Sequence, residues 1–159
     1  MERFFFTALR RLIGRKALAG VFLVFFVFLP GAEDSPSKDP ALIWAARHNL
    51  APLAEAMLAR GVSVNERDLM GNTPLHWAVR YPAMVQFLVE HGADVNARNL
   101  LGETALHLAV YYKGSVEILL KNGVDRSARN IFGRTAVDYC MFRGAGRKNL
   151  EVMNLLFAD

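Results

Sequence analysis

The sequence predicts an all-α solenoid of about four helix-turn-helix units with short hairpin loops, and three observations carry that prediction. The stretch GNTPLHWA from Gly71 to Ala78 returns as GETALHLA from Gly102 to Ala109 and as GRTAVDYC from Gly133 to Cys140. Its glycines are 31 residues apart, and so are Thr73, Thr104 and Thr135. A second ladder of glycines, Gly61, Gly92 and Gly123, keeps the same step and closes apolar runs such as FLVEHG and ILLKNG. Fixed periods of this size mark stacked supersecondary units, none of which can bury its apolar face alone.

Each unit reads as two helices. Thr73 is a helix N-cap whose hydroxyl can satisfy an orphan backbone N–H, and Pro74 follows where its missing N–H costs nothing. Leu75 and Ala78 share one face, and the small alanine admits the next layer. Val85, Leu88 and Val89 give the second helix its spacing, and Gly92 ends it in the left-handed conformation that glycine takes most readily. The third unit repeats this with Leu106, Ala109 and Val110, then Val116, Leu119 and Leu120. The fourth offers Val137, Tyr139 and Cys140, then Leu150, Met153, Leu155 and Leu156. The first unit, PALIWAARHNLAPLAEAMLARG, lacks the Thr-Pro and His signals, as suits a terminal repeat with one face in water. The units run over about 39–67, 68–98, 99–129 and 130–159.

The pattern resembles the ankyrin repeat. The matching residues are Thr73-Pro74-Leu75-His76 with Ala78, then Gly92-Ala93-Asp94-Val95-Asn96, then Gly102, Thr104, Leu106-His107 and Ala109. The step of 31 departs from the usual 33 and places the two missing residues at the inter-helix turns, near Arg80 to Met84 and Tyr111 to Ser115. The last unit has Asp138 where the others have histidine, and a longer loop between its helices. The resemblance implies a protein-binding module whose hairpin tips and inner helices form a concave recognition face.

Residues 1–32 are different in kind. Arg3, Arg10, Arg11, Arg15 and Lys16 precede Ala17 to Leu29, 13 residues without a charge, and Pro30-Gly31-Ala32 follows. A basic start, a short apolar run and a small residue describe a secretory signal peptide. The run is short of the roughly 20 residues a membrane span needs, and an uncleaved anchor is the other reading. Residues 33–38 form a linker to the repeats at 39–159. The expected location is therefore outside the cytoplasmic membrane, either periplasmic or anchored with the repeats outward, with the N-terminal segment as the only membrane contact.

The leader holds five basic residues against one acid, and the remaining chain has 14 of each, so the whole net charge of +4 belongs to the leader. A neutral domain supplies no counterion-release term, which argues against nucleic acid as a partner. Within it, 113–148 is basic and 33–112 is acidic on balance.

No grouping of residues supports catalysis, a cofactor or a metal. His76 and His107 are one per repeat and by resemblance steady their own turns; His48 and His91 form no ligand cluster. Cys140, the single cysteine, falls in the register of Ala78 and Ala109 and reads as a small buried hydrophobe. The loop Arg143-Gly-Ala-Gly-Arg-Lys148 lacks phosphate-loop spacing and reads as a turn, or as a basic tip for phosphate or lipid.

The candidate partner-binding residues follow from register. The tip pairs before each turn glycine are Leu69-Met70, Leu100-Leu101 and Ile131-Phe132. Arg98 and Arg129 stand just before the loop asparagines, and Tyr81, Tyr111 and Tyr112 end the inner helices. Tyrosine and arginine are enriched at interface hot spots, and a row of exposed apolar pairs marks a partner site. The expected protein is a monomeric, exported, non-catalytic adaptor for another protein. The alternative is a membrane-anchored scaffold whose basic C-terminal half contacts anionic lipid.

Overall fold

The computed structural model describes residues 40–142 and 147–157. The expected leader and linker, and the basic loop 143–146, lie outside the described residues. Asp39–Asp159 forms a compact unit of its own.

Eight helices and no strand are found among the described residues, in four pairs. The first pair is α1 (Ala41–Arg47) and α2 (Ala51–Ala59), and the second is α3 (Pro74–Ala78) and α4 (Pro82–Glu90). The third is α5 (Ala105–Ala109) with α6 (Lys113–Lys121), and the fourth α7 (Ala136–Phe142) with α8 (Arg147–Phe157). The inner helices α1, α3, α5 and α7 stack in sequence, the outer helices α4, α6 and α8 stack behind them, and each inner helix packs on its own outer partner. None of these helices is long and apolar enough to cross a membrane.

The core is the repeated apolar register. Leu42, Leu75 and Leu106 fill the inner layer, and Met84, Leu88, Val116, Leu119 and Val152 fill the space between layers. Ala45, Ala78, Ala109 and Cys140 are buried at equivalent positions, where a small side chain brings the next helix close. Burial also pushes the Cys140 thiol above its ordinary pKa, which makes it a poor nucleophile.

The shortened step is accommodated in α3 and α5. Each has five residues, whereas α1 and α7 have seven. Val79 and Val110 end these helices, and the chain turns at once, with Tyr81 N–H and Tyr112 N–H donating to Ala78 and Ala109 carbonyls at 2.7 Å. Tyr81 and Tyr112 are therefore the N-caps of α4 and α6, not the last residues of the inner helices.

The two glycine ladders differ at Gly71 and Gly102, where one hairpin meets the next. Gly61, Gly92 and Gly123 have positive φ but open space where a Cβ would stand. Gly71, at φ +74, also meets the next hairpin: an added Cβ would lie 3.1 Å from the Leu100 backbone nitrogen. That approach lets Leu100 N–H donate to the Met70 carbonyl at 2.9 Å, and Ile131 N–H donates likewise to the Leu101 carbonyl at 3.0 Å. Adjacent hairpins are thus laced backbone to backbone.

The first unit lacks the threonine cap and replaces it from a distance. Glu66 Oε1 accepts from Leu42 N–H and Ile43 N–H at 3.1 and 3.2 Å, closing the start of α1 from 24 and 23 residues away. Burial raises the Glu66 pKa, opposed by those two bonds.

Candidate functional site

Two surfaces are presented by the inner side of the stack, the row of hairpin tips and a groove along the inner helices. Both are positioned by the cap histidines. Thr73 N–H donates to His76 Nδ1 at 3.1 Å, and the Thr73 hydroxyl meets the same nitrogen at 2.9 Å. Nδ1 is therefore an acceptor, the ring proton sits on Nε2, and Nε2–H donates to the Glu103 carbonyl at 3.0 Å. His107 repeats the arrangement with Thr104 and reaches the Arg134 carbonyl at 3.1 Å. Each histidine fixes its own turn, as the resemblance implies, and also ties it to the next hairpin. Burial holds both rings below their ordinary pKa and so in the neutral form. In the last unit Asp138 Oδ2 takes the cap role, accepting from Thr135 N–H at 2.7 Å and from its hydroxyl at 2.9 Å.

Within each hairpin the loop Asp or Asn folds the backbone. Asp68 Oδ1, Asn99 Oδ1 and Asn130 Oδ1 each accept from the N–H groups two and four residues on. This projects the tip side chains outward. Leu69 is 84% and Phe132 66% exposed, and Met70, Leu100 and Ile131 are also exposed. Leu101 differs: it is half-buried and lines a cleft of about 290 Å³ with Met70, Trp77 and Leu108.

Arg98 and Arg129, both exposed, also have a structural task. The stack does use them. Arg67 Nη1 donates to the Gly71 and Arg98 carbonyls at 2.9 and 2.6 Å, and Arg98 Nη1 donates to the Arg129 carbonyl at 2.8 Å. Arg129 Nη1 closes its own loop on the Gly133 carbonyl at 2.7 Å. Arg67 and Arg98 thus clamp hairpin to hairpin, and Arg129 braces the last hairpin internally.

The groove has a volume of about 850 Å³ and runs from α1 to α7. Tyr81, Tyr111 and Tyr112 line it, so the structure brings the three tyrosines together. Leu69, Leu100, Ile131 and Phe132 do not line it. Its floor is a row absent from the expected set: Trp77, Leu108 and Tyr139, each 31 residues from the next and each half-buried. The signal was there, one position after His76, His107 and Asp138, but Tyr139 read as a core residue. Arg47, Arg80, Arg134 and Phe142 complete the walls.

The floor is fixed by polar tethers. Trp77 Nε1–H donates to Asp68 Oδ2 at 2.9 Å, and the Arg47 guanidinium lies 3.7 Å from the Trp77 ring centre. The Tyr139 hydroxyl donates to Glu103 Oε1 and accepts from Asn130 Nδ2 at 2.9 Å, with the His107 ring edge-on at 5.5 Å. Asn99 Nδ2 joins Asn72 Oδ1 at 2.9 Å to Glu103 Oε2 at 3.0 Å, so one chain of bonds crosses three hairpins beneath the aromatic row. Burial, then the bond to Glu103, raises the Tyr139 pKa and keeps the phenol neutral. No group of three or more His, Cys, Asp or Glu able to hold a metal ion occurs among the described residues.

The fold defines a helical repeat protein with an aromatic groove along its inner helices. The family model for ankyrin repeats in three copies matches residues 14–99, and that for ankyrin repeats in many copies matches residues 88–140. The chain belongs to the ankyrin-repeat family. The first match begins inside the segment assigned above to the leader. A putative ankyrin repeat protein of fowlpox virus (strain NVSL) is 47% identical over 45 residues, which cover 28% of this chain and 9% of that protein. The chain thus spans less than a tenth of that relative's length. Ankyrin repeats are protein–protein interaction modules and are not catalytic.

Proposed function

We propose that this chain is an exported adaptor that holds another protein against its groove face and inhibits, protects or stabilises it in the cell envelope. The observation that carries the reading is the groove itself. Tyr81, Tyr111, Tyr112 and Trp77 stand there beside Arg47, Arg80 and Arg134. Tryptophan, tyrosine and arginine are the residue types that dominate binding hot spots. Tethered rings also lose less freedom on binding than free ones.

Export rests on the charge step across Ala17 to Leu29, with positive residues retained inside. It is tested by protease added to spheroplasts: the repeats are expected to be digested or already released, and full protection removes the export reading. The adaptor role is tested by cross-linking the chain in its own envelope and identifying the product. A protein joined through groove residues supports it. Products confined to lipid favour the alternative of a scaffold on anionic lipid.

A further inference from the structure

We propose that the groove recognises an acidic segment of its partner, one that places carboxylates on Arg80 and Arg134 and apolar side chains on the aromatic floor. The proposal rests on the protein-binding reading above and names the chemistry of that same site.

Charge is the first argument. The chain beyond residue 32 is neutral as a whole, yet the groove is lined by Arg47, Arg80 and Arg134 against the single acid Asp138. The Asp138 carboxylate is bonded by Thr135 through Oδ2 and faces Arg129 and Arg134, and its single charge leaves the groove positive on balance. His76 and His107, held as neutral tautomers by their cap bonds, add no charge to the groove.

Pairing is the second. The salt bridges found among the described residues join Lys113 to Glu117 and Glu151, on α6 and α8. Arg80 and Arg134 instead lie over rings. Arg80 is 5.3 Å from the Tyr81 ring centre, and Arg134 is 5.1 Å from that of Phe142 and 5.9 Å from that of Phe132. A guanidinium stacked on a ring keeps its in-plane N–H donors for a carboxylate and loses less freedom in forming a bidentate pair. Both arginines are exposed.

The third argument separates a peptide from other anions. The floor between the arginines is Trp77, Leu108 and Tyr139, half-buried and held by bonds beneath it. Such a recessed apolar surface fits side chains that alternate with carboxylates. A flat array of lipid headgroups cannot reach it.

The test uses the full chain and labelled synthetic peptides of one length in which leucine alternates with Glu, with Gln or with Lys. The Glu peptide is expected to bind at least about tenfold more tightly than the Gln peptide, as charge-assisted hydrogen bonds allow, and to weaken as salt is added. The double variant Arg80→Glu, Arg134→Glu should lose the Glu peptide and gain the Lys peptide, with an unchanged thermal melt. Lys121→Glu, on the outer helix α6, should do neither. Equal binding of Glu and Gln peptides, or equal loss with Lys121→Glu, overturns the proposal. So does groove-dependent binding of phosphatidylserine vesicles or a single-stranded oligonucleotide in place of the Glu peptide. A cross-linked partner lost with Trp77→Ala but indifferent to the double reversal overturns the acidic chemistry and leaves the adaptor reading standing. A partner indifferent to both overturns both.

Discussion

The hairpin tips and the inner-helix groove arise from the same repeat, one at the turn and one a few residues later, yet they are built differently. The tips are organised by backbone: loop Asp or Asn side chains fold each hairpin, and main-chain bonds and arginine clamps join it to the next. Their apolar side chains are left mostly in water. The groove is organised by side chains: Trp77 and Tyr139 are half-buried, with their polar ends bonded into the hairpins. Exposed leucines retain rotamer freedom that a partner must remove, whereas tethered rings have already lost it. Apolar exposure and preorganisation are therefore separate properties of this surface, and the groove has more of the second.

The largest effect undermines both regions at once. Leu106 is fully buried beneath them, and Leu106→Ala should cost roughly 2–5 kcal/mol through a cavity between layers. Denaturant melts check this, with the half-buried Leu101→Ala as companion. A neutral Leu106→Ala beside an unfolded Leu101→Ala would mean that the register is wrong.

The comparison itself is tested next. Trp77→Ala or Tyr111→Ala should cost at least about 2 kcal/mol of partner binding, about thirtyfold in affinity. Leu69→Asp and Phe132→Asp should cost less. Partner capture and thermal melting on the same preparations decide it, and the ranking inverts if the tip variants lose the partner while Tyr111→Ala retains it.

A smaller difference separates the two glycine ladders. Alanine at a left-handed position costs about 1–2 kcal/mol, and both Gly71 and Gly123 have such φ values. Only Gly71 also meets the neighbouring backbone, so Gly71→Ala should destabilise more than Gly123→Ala in urea melts. Equal costs would show that the hairpins are not closely laced.

The smallest effect is on pH. His76 and His107 titrate below the ordinary value of 6.5 when folded, so below that value the unfolded chain binds more protons. Their contribution is present in full above about pH 6.5 and is lost as the pH falls through their folded values. Protonation would set Nδ1–H against Thr73 N–H or Thr104 N–H. Urea melts across this range should fall more steeply for the wild-type chain than for His76→Asn, His107→Asn. Parallel slopes would remove the linkage.

The period, the helix pairs, the caps and the buried place of Cys140 are legible in the amino-acid order alone. These rest on short-range chemistry: a threonine beside its helix, a glycine at positive φ, apolar residues three and four apart. What joins one unit to the next emerges only when the units are stacked. The His76–Glu103 and His107–Arg134 bonds span 27 residues, and the Arg67–Arg98 and Arg98–Arg129 clamps span 31. Such contacts have no local signal, because their energy appears only when two units stand in register. For the same reason the clamp made by Arg98 and the tether on Tyr139 were not legible in the sequence. Each residue was judged within its own repeat, whereas the neighbouring repeat fixes where its polar end goes.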